Sequence, residues 1–103
     1  MNVLVFHQAY EPMPLLVATV DAPDSLSVLD SLEFAFARTQ NTEGSWSKGI
    51  LPDGGPWVKR MAPLHTDEKG NEWGLRSTSV GDRMIAGSKI YEVAGCGFEE
   101  VEE

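Results

Sequence analysis

One stretch of this 103-residue chain repeats its apolar residues at helical spacing; the other apolar residues come in short β-type runs broken by glycine and proline. Within 24–38, Val28, Leu29, Leu32, Ala35 and Phe36 recur at steps of three and four and line one face. Asp30, Ser31, Glu33 and Arg38 fall largely elsewhere. Asp21-Ala22-Pro23-Asp24 announces the helix, and Asp24 or Ser25 can cap it by accepting a bond from an orphan N–H of the first turn. Its end falls at Arg38–Asn41, where Asn41 can take a left-handed cap and Arg38 complements the C-terminal dipole. A lone amphipathic helix among short strands has to bury its stripe against a sheet. The expected class is therefore α+β, a small antiparallel sheet of about five strands with one main helix packed on one face.

Asn2 to Ala9 reads as a strand, and Pro12 and Pro14 make Tyr10–Pro14 a turn. Leu15 to Val20 is nearly continuous in apolar character, as expected for a strand buried on both faces. The two strands form a hairpin, or else the prolines separate strands that are not neighbours. Near the other end, Arg83–Ala86, Gly87-Ser88 and Lys89–Val93 predict a hairpin over 83–94 with a two-residue turn. Gly95-Cys96-Gly97 breaks or bulges the strand, and an acidic tail, 99–103, follows Phe98. Between helix and hairpin lies a loop-rich insertion, 42–75, with six glycines, three prolines and all three tryptophans. Only Trp57–Ala62 within it suggests a short strand. The whole, 1–103, reads as one domain.

Charge narrows the partners. Sixteen acids against eight bases leave −8, distributed unevenly. Residues 1–47 sum to −5, residues 48–91 to +2, and the tail from Glu92 to −5. Such a surface argues against a broad grip on nucleic-acid phosphates and against docking on anionic lipid. No stretch approaches the roughly 20 apolar residues of a membrane span, and the N-terminal apolar run is too short for a signal peptide. A cytoplasmic protein without a membrane partner is expected, and a homo-oligomer remains open.

No catalytic constellation emerges. Cys96 cannot form an internal disulfide, and between glycines in an apolar strand it reads as a small core hydrophobe. His65-Thr66-Asp67-Glu68 lacks a second His or Cys at ligand spacing and reads as a solvated turn, so no metal site is expected. Gly54-Gly55-Pro56 and Gly95-Cys96-Gly97 match neither phosphate-loop nor dinucleotide spacing, so no cofactor is expected. At least two of Trp46, Trp57 and Trp73 should cover the small core. Trp57, beside Lys59 and Arg60, is the best candidate for an exposed contact with a partner.

The remaining motif is Arg76-Ser77-Thr78-Ser79-Val80-Gly81-Asp82, followed by Tyr91-Glu92-Val93 and Gly97-Phe98. Its hydroxyls and carboxylate can bond local N–H groups and fix a turn, while Arg76 can reach carboxylates or carbonyls. The same residues Arg76, Ser77, Ser79 and Asp82 could instead hold a ligand or partner. The stretch resembles the C-terminal signature of small phage and mobile-element proteins that include YodL-like domains, and Ala35–Asn41 with Trp46 is similar to the helix end preceding it. Arg83 stands where that pattern usually has an aliphatic residue. The resemblance implies a mobile-element accessory protein. The expected function is binding of a host protein, with DNA mimicry as one form. The alternatives are a small-ligand or enzymatic module centred on Arg76, Ser77, Ser79 and Asp82, and a purely structural or oligomerising protein.

Overall fold

The strand Asn2–His7 (β1) shows the period of two that a sheet imposes: Val3, Val5 and His7 are buried, while Leu4 and Phe6 are only half-buried. The computed structural model describes residues 1–42, 44–48 and 55–102. Leu15–Asp21 (β2) pairs antiparallel with β1, so the expected hairpin forms, with Tyr10–Pro14 in its connection. Val5 faces Ala18 and Phe6 faces Leu16, which leaves Val17 as an extra residue and bends the ladder. β2 is not buried on both faces. Leu15 is exposed and Leu16 and Thr19 half-buried, because the helix covers only one side.

The helix (α1) runs Val28–Arg38, four residues shorter at its start than the sequence suggests. A turn from Pro23 to Leu26 occupies the earlier residues, and Ser27, not Asp24 or Ser25, caps the helix by accepting from the Asp30 N–H at 3.1 Å. Asp24 instead receives the N-terminal ammonium at 2.8 Å. At the other end Thr39 is the cap, its N–H donating to the Phe36 carbonyl, and among the described residues only glycines have positive φ. Asn41 is thus not left-handed. The buried stripe is also rotated from the expected one. Ser31, Leu32 and Ala35 are buried, whereas Val28 and Leu29 at the solvent-facing first turn are exposed.

Val58–Arg60 (β3) adds to β2, inside the expected Trp57–Ala62. The insertion is less irregular than its glycines suggest, since His65–Thr66 (β4) and Glu72–Trp73 (β5) pair in a separate two-stranded ribbon. Asp67 organises its turn by accepting the Lys69 and Asn71 N–H groups and the Trp73 indole, so the turn expected at His65–Glu68 forms from Asp67 onward while His65 and Thr66 belong to a strand. Glu43 and residues 49–54 of that insertion lie outside the described residues.

Arg83–Ala86 (β6) and Lys89–Val93 (β7) form the expected hairpin, with Gly87 at φ +62° in its two-residue turn. Phe98–Val101 (β8) then pairs with β7, so Glu99 and Glu100 belong to an edge strand rather than a free tail; Glu103 lies outside the described residues. The order is β3-β2-β1-β6-β7-β8, antiparallel throughout, six strands where about five are expected. The added strand comes from the glutamate-rich end, where Phe98-Glu99-Glu100-Val101 shows no alternation to mark a strand. Core side chains Val3, Val5, Ala18, Val20, Met84 and Ala86 meet Leu32 and Ala35 of the helix. Trp46 is fully buried, whereas Trp57 and Trp73 are exposed, so one tryptophan covers the core, not two or more. Cys96 is also exposed, because it sits in the β7–β8 turn rather than in a strand.

Candidate functional site

The Arg76–Asp82 stretch leads into β6 and folds on itself. The Asp82 N–H donates to the Ser79 carbonyl, and the Ser79 N–H donates to Asp82 Oδ2 at 2.8 Å. Gly81 permits this with φ +95°, where a Cβ would also press on the Ala9 Cβ at 3.1 Å. Asp82 Oδ1 accepts the Gln8 and Ala9 N–H groups at 2.8 and 3.0 Å, which ties the end of β1 to the same point.

Arg76 completes the cluster. Its Nη1 and Nη2 reach the two Asp82 oxygens at 2.7 Å each; Nε and Nη2 reach Glu11 at 3.1 and 2.7 Å, and Nη1 also donates to the Ser77 carbonyl. All five guanidinium N–H groups are engaged within the chain. The guanidinium also lies over the Tyr10 ring, 5.0 Å from its centroid. Burial pushes the Asp82 carboxyl up, but Arg76 and the three backbone N–H groups outweigh it and hold the pKa at about 2. The Arg76 hydrogen bonds hold Glu11 below the usual carboxylate range.

Beside the cluster sits His7, buried, with Nε2 3.0 Å from Thr78 Oγ1 and 4.0 Å from Asp82 Oδ2. Burial lowers its pKa, against the pull of Asp82, which raises it. Trp46 meets the His7 ring edge-on and donates its indole N–H to the Arg76 carbonyl at 2.8 Å.

The opposite face of the sheet is built differently. Cross-strand register places Thr19, Leu4, Ile85, Ile90 and Val101 in one row over five neighbouring strands. The next row runs Leu16, Phe6, Arg83, Glu92 and Glu99. Because β1 alternates, this is the side away from the helix-covered Val3 and Val5. At about 4.8 Å per strand the first row spans roughly 19 Å. Its apolar members are only half-buried, and two hollows share the Ile85–Ile90 pair. One, of about 140 Å³, continues to Phe6 and Pro14; the other, of about 390 Å³, to Val101 and Glu102.

No protein-family model, curated protein or solved structure matches the chain.

The seven residues singled out from sequence separate into two groups. Arg76, Ser77, Ser79 and Asp82 share one network: Ser77 Oγ accepts the Asn41 N–H at 2.8 Å, and the Ser79 hydroxyl donates to the Ser77 carbonyl at 3.2 Å. Trp57, Lys59 and Arg60 lie at the β3 edge instead. Trp57 meets Phe34 edge-on at 6.0 Å, Lys59 is exposed, and Arg60 donates to the Ser47 carbonyl at 3.2 Å. Among the described residues no hydrogen bond or ion pair joins the two groups. Sequence reasoning missed Glu11, His7 and Thr78, whose partners lie more than sixty residues away along the chain. It also missed the uncovered face, since the strand pattern through Leu4, Ile85 and Ile90 does not say which side the helix covers. Among the described residues no group of His, Cys, Asp and Glu could hold a metal ion, and no helix is long and apolar enough to cross a membrane.

Proposed function

We propose that this chain is a protein-binding domain that works by docking a partner on the uncovered face of its sheet. The observation that carries this is the row Leu4, Ile85, Ile90 and Val101, apolar side chains left half-exposed on the face opposite the helix. Layered folds ordinarily bury such a face, and an apolar patch rimmed by charge marks an interaction surface. The Arg76–Asp82 cluster serves as scaffold beneath that role, its guanidinium donors being engaged internally.

The chemistry of the partner follows from the rim. Glu92, Glu99, Glu100 and Glu102 border the β7–β8 end of the row, and the chain carries −8. A segment with an apolar stripe flanked by Lys or Arg complements that pattern, and a host protein that itself binds nucleic acid has such surfaces. The likeness of Arg76–Asp82 to phage and mobile-element accessory proteins supports a partner in the cytoplasm of a bacterial host. Capture from host lysate tests the reading, with Ile85→Asp beside the parent chain and circular dichroism as the folding control. We expect a stoichiometric basic protein with the parent and none with Ile85→Asp. Equal recovery by both, or no stoichiometric protein at low and high salt, would overturn it.

A further inference from the structure

The two edges of the six-stranded sheet carry opposite charge. β3 presents Lys59 and Arg60; β8 presents Glu99 and Glu100, with Glu102 just beyond. Neither edge has a further strand partner among the described residues. An open edge exposes unpaired N–H and C=O groups, a template for another strand, and charge on an edge ordinarily blocks that. Here it blocks selectively. Two β8 edges would set carboxylates against carboxylates, and two β3 edges would set cations against cations. A β3 edge against a β8 edge sets cations against carboxylates.

Strand direction allows the same pairing. Six strands with every neighbouring pair antiparallel leave β3 and β8 running in opposite directions. A second copy displaced along the sheet therefore brings its β3 antiparallel to β8, with both helices on one side. Register places Lys59 opposite Thr19 and Glu99 opposite Glu92, so both side chains emerge on the uncovered face. Neither side chain makes a hydrogen bond or ion pair among the described residues.

We infer that copies of this chain associate head to tail, β3 of one against β8 of the next. Such a contact is heterologous and extends into an open series rather than closing a dimer. The paired strands have only three and four residues, so each contact is weak and the series grows with concentration.

Sedimentation velocity over a concentration series tests this, at about 0.01 M and about 1 M salt, where the screening length falls from about 30 Å to about 3 Å. The parent chain should grow in mass with concentration at low salt and remain monomeric at high salt. Lys59→Glu with Arg60→Glu, and separately Glu99→Lys with Glu100→Lys, should each weaken association at least about tenfold. An equimolar mixture of the two double variants should restore it, because each supplies the edge that complements the other. A parent chain that stays monomeric at low salt overturns the inference. So does association unchanged by either reversal, or a mixture that stays monomeric. Lys59→Glu with Arg60→Glu leaves both the apolar row and its glutamate rim intact, so capture of a host protein by that variant separates this surface from the docking face.

Discussion

Arg76 and Asp82 meet side-on, Nη1 to Oδ2 and Nη2 to Oδ1, both at 2.7 Å, with the carboxylate fully buried. Removing the carboxylate would leave the half-buried guanidinium with Glu11 and the Ser77 carbonyl alone, and the backbone N–H groups of Gln8, Ala9 and Ser79 without an acceptor. Asp82→Ala should therefore cost about 3 to 5 kcal/mol. Urea unfolding would show it as a lower midpoint at unchanged slope. A loss below about 1 kcal/mol would mean that the cluster contributes little.

Acid should weaken the fold in two stages. His7 is held neutral by burial, its pKa below the ordinary 6.5, so the unfolded chain binds the extra proton and stability falls as pH drops below about 6.5. Asp82 has its pKa lowered from 3.8 to about 2, which contributes about 2 kcal/mol above pH 4 that is lost as pH falls towards 2. Urea midpoints measured against pH would reveal both stages. His7→Gln should flatten the upper one and leave the lower; an identical upper slope in the variant would remove His7 as its cause.

Trp46 fills the space between His7 and the helix end, and it bonds the Arg76 carbonyl. Trp46→Ala should cost about 3 to 5 kcal/mol. Trp46→Phe restores much of the volume but leaves that carbonyl without its donor, at about 1 to 3 kcal/mol. Fluorescence offers a second readout, because the exposed Trp57 and Trp73 alone would then emit, at longer wavelength.

Ser27 rather than Ser25 caps α1. Ser27→Ala should cost about 1 kcal/mol and Ser25→Ala close to nothing. Thermal melts of the two variants would distinguish the caps, and equal losses would contradict the assignment.

Cys96 lies exposed in the β7–β8 turn. It should react with a thiol reagent in the native protein nearly as fast as in denaturant, and Cys96→Ser should change stability by no more than about 0.5 kcal/mol. Protection of the thiol in the native state would contradict its placement.

Much of the fold was legible because it depends on local pattern. The period of two in Val3, Val5 and His7, the helical steps through Leu32 and Ala35, and Gly87-Ser88 between two apolar runs each carry their structure in neighbouring residues. β8 was not legible, since Glu99 and Glu100 belong to a strand whose charges face solvent at an edge. The helix start was misread for a similar reason. Asp24 is as good a cap as Ser27 by residue type, and only the Pro23–Leu26 turn and the N-terminal ammonium decide between them.

The motif Arg76–Asp82 shows where local reading ends. That Ser79 and Asp82 would make a turn around Gly81 follows from residue types three positions apart, and it forms. That Arg76 would engage Glu11, and that Asp82 would receive the backbone of Gln8 and Ala9, required β1 to lie beside β6. By itself the sequence determined the helix, five of the strands and the class of fold, because hydrophobic period and turn chemistry act over a few residues. Strand order was decided only in three dimensions. It set one apolar row on an uncovered face and bases and acids on opposite edges, since pairing between distant segments depends on how the chain closes its core.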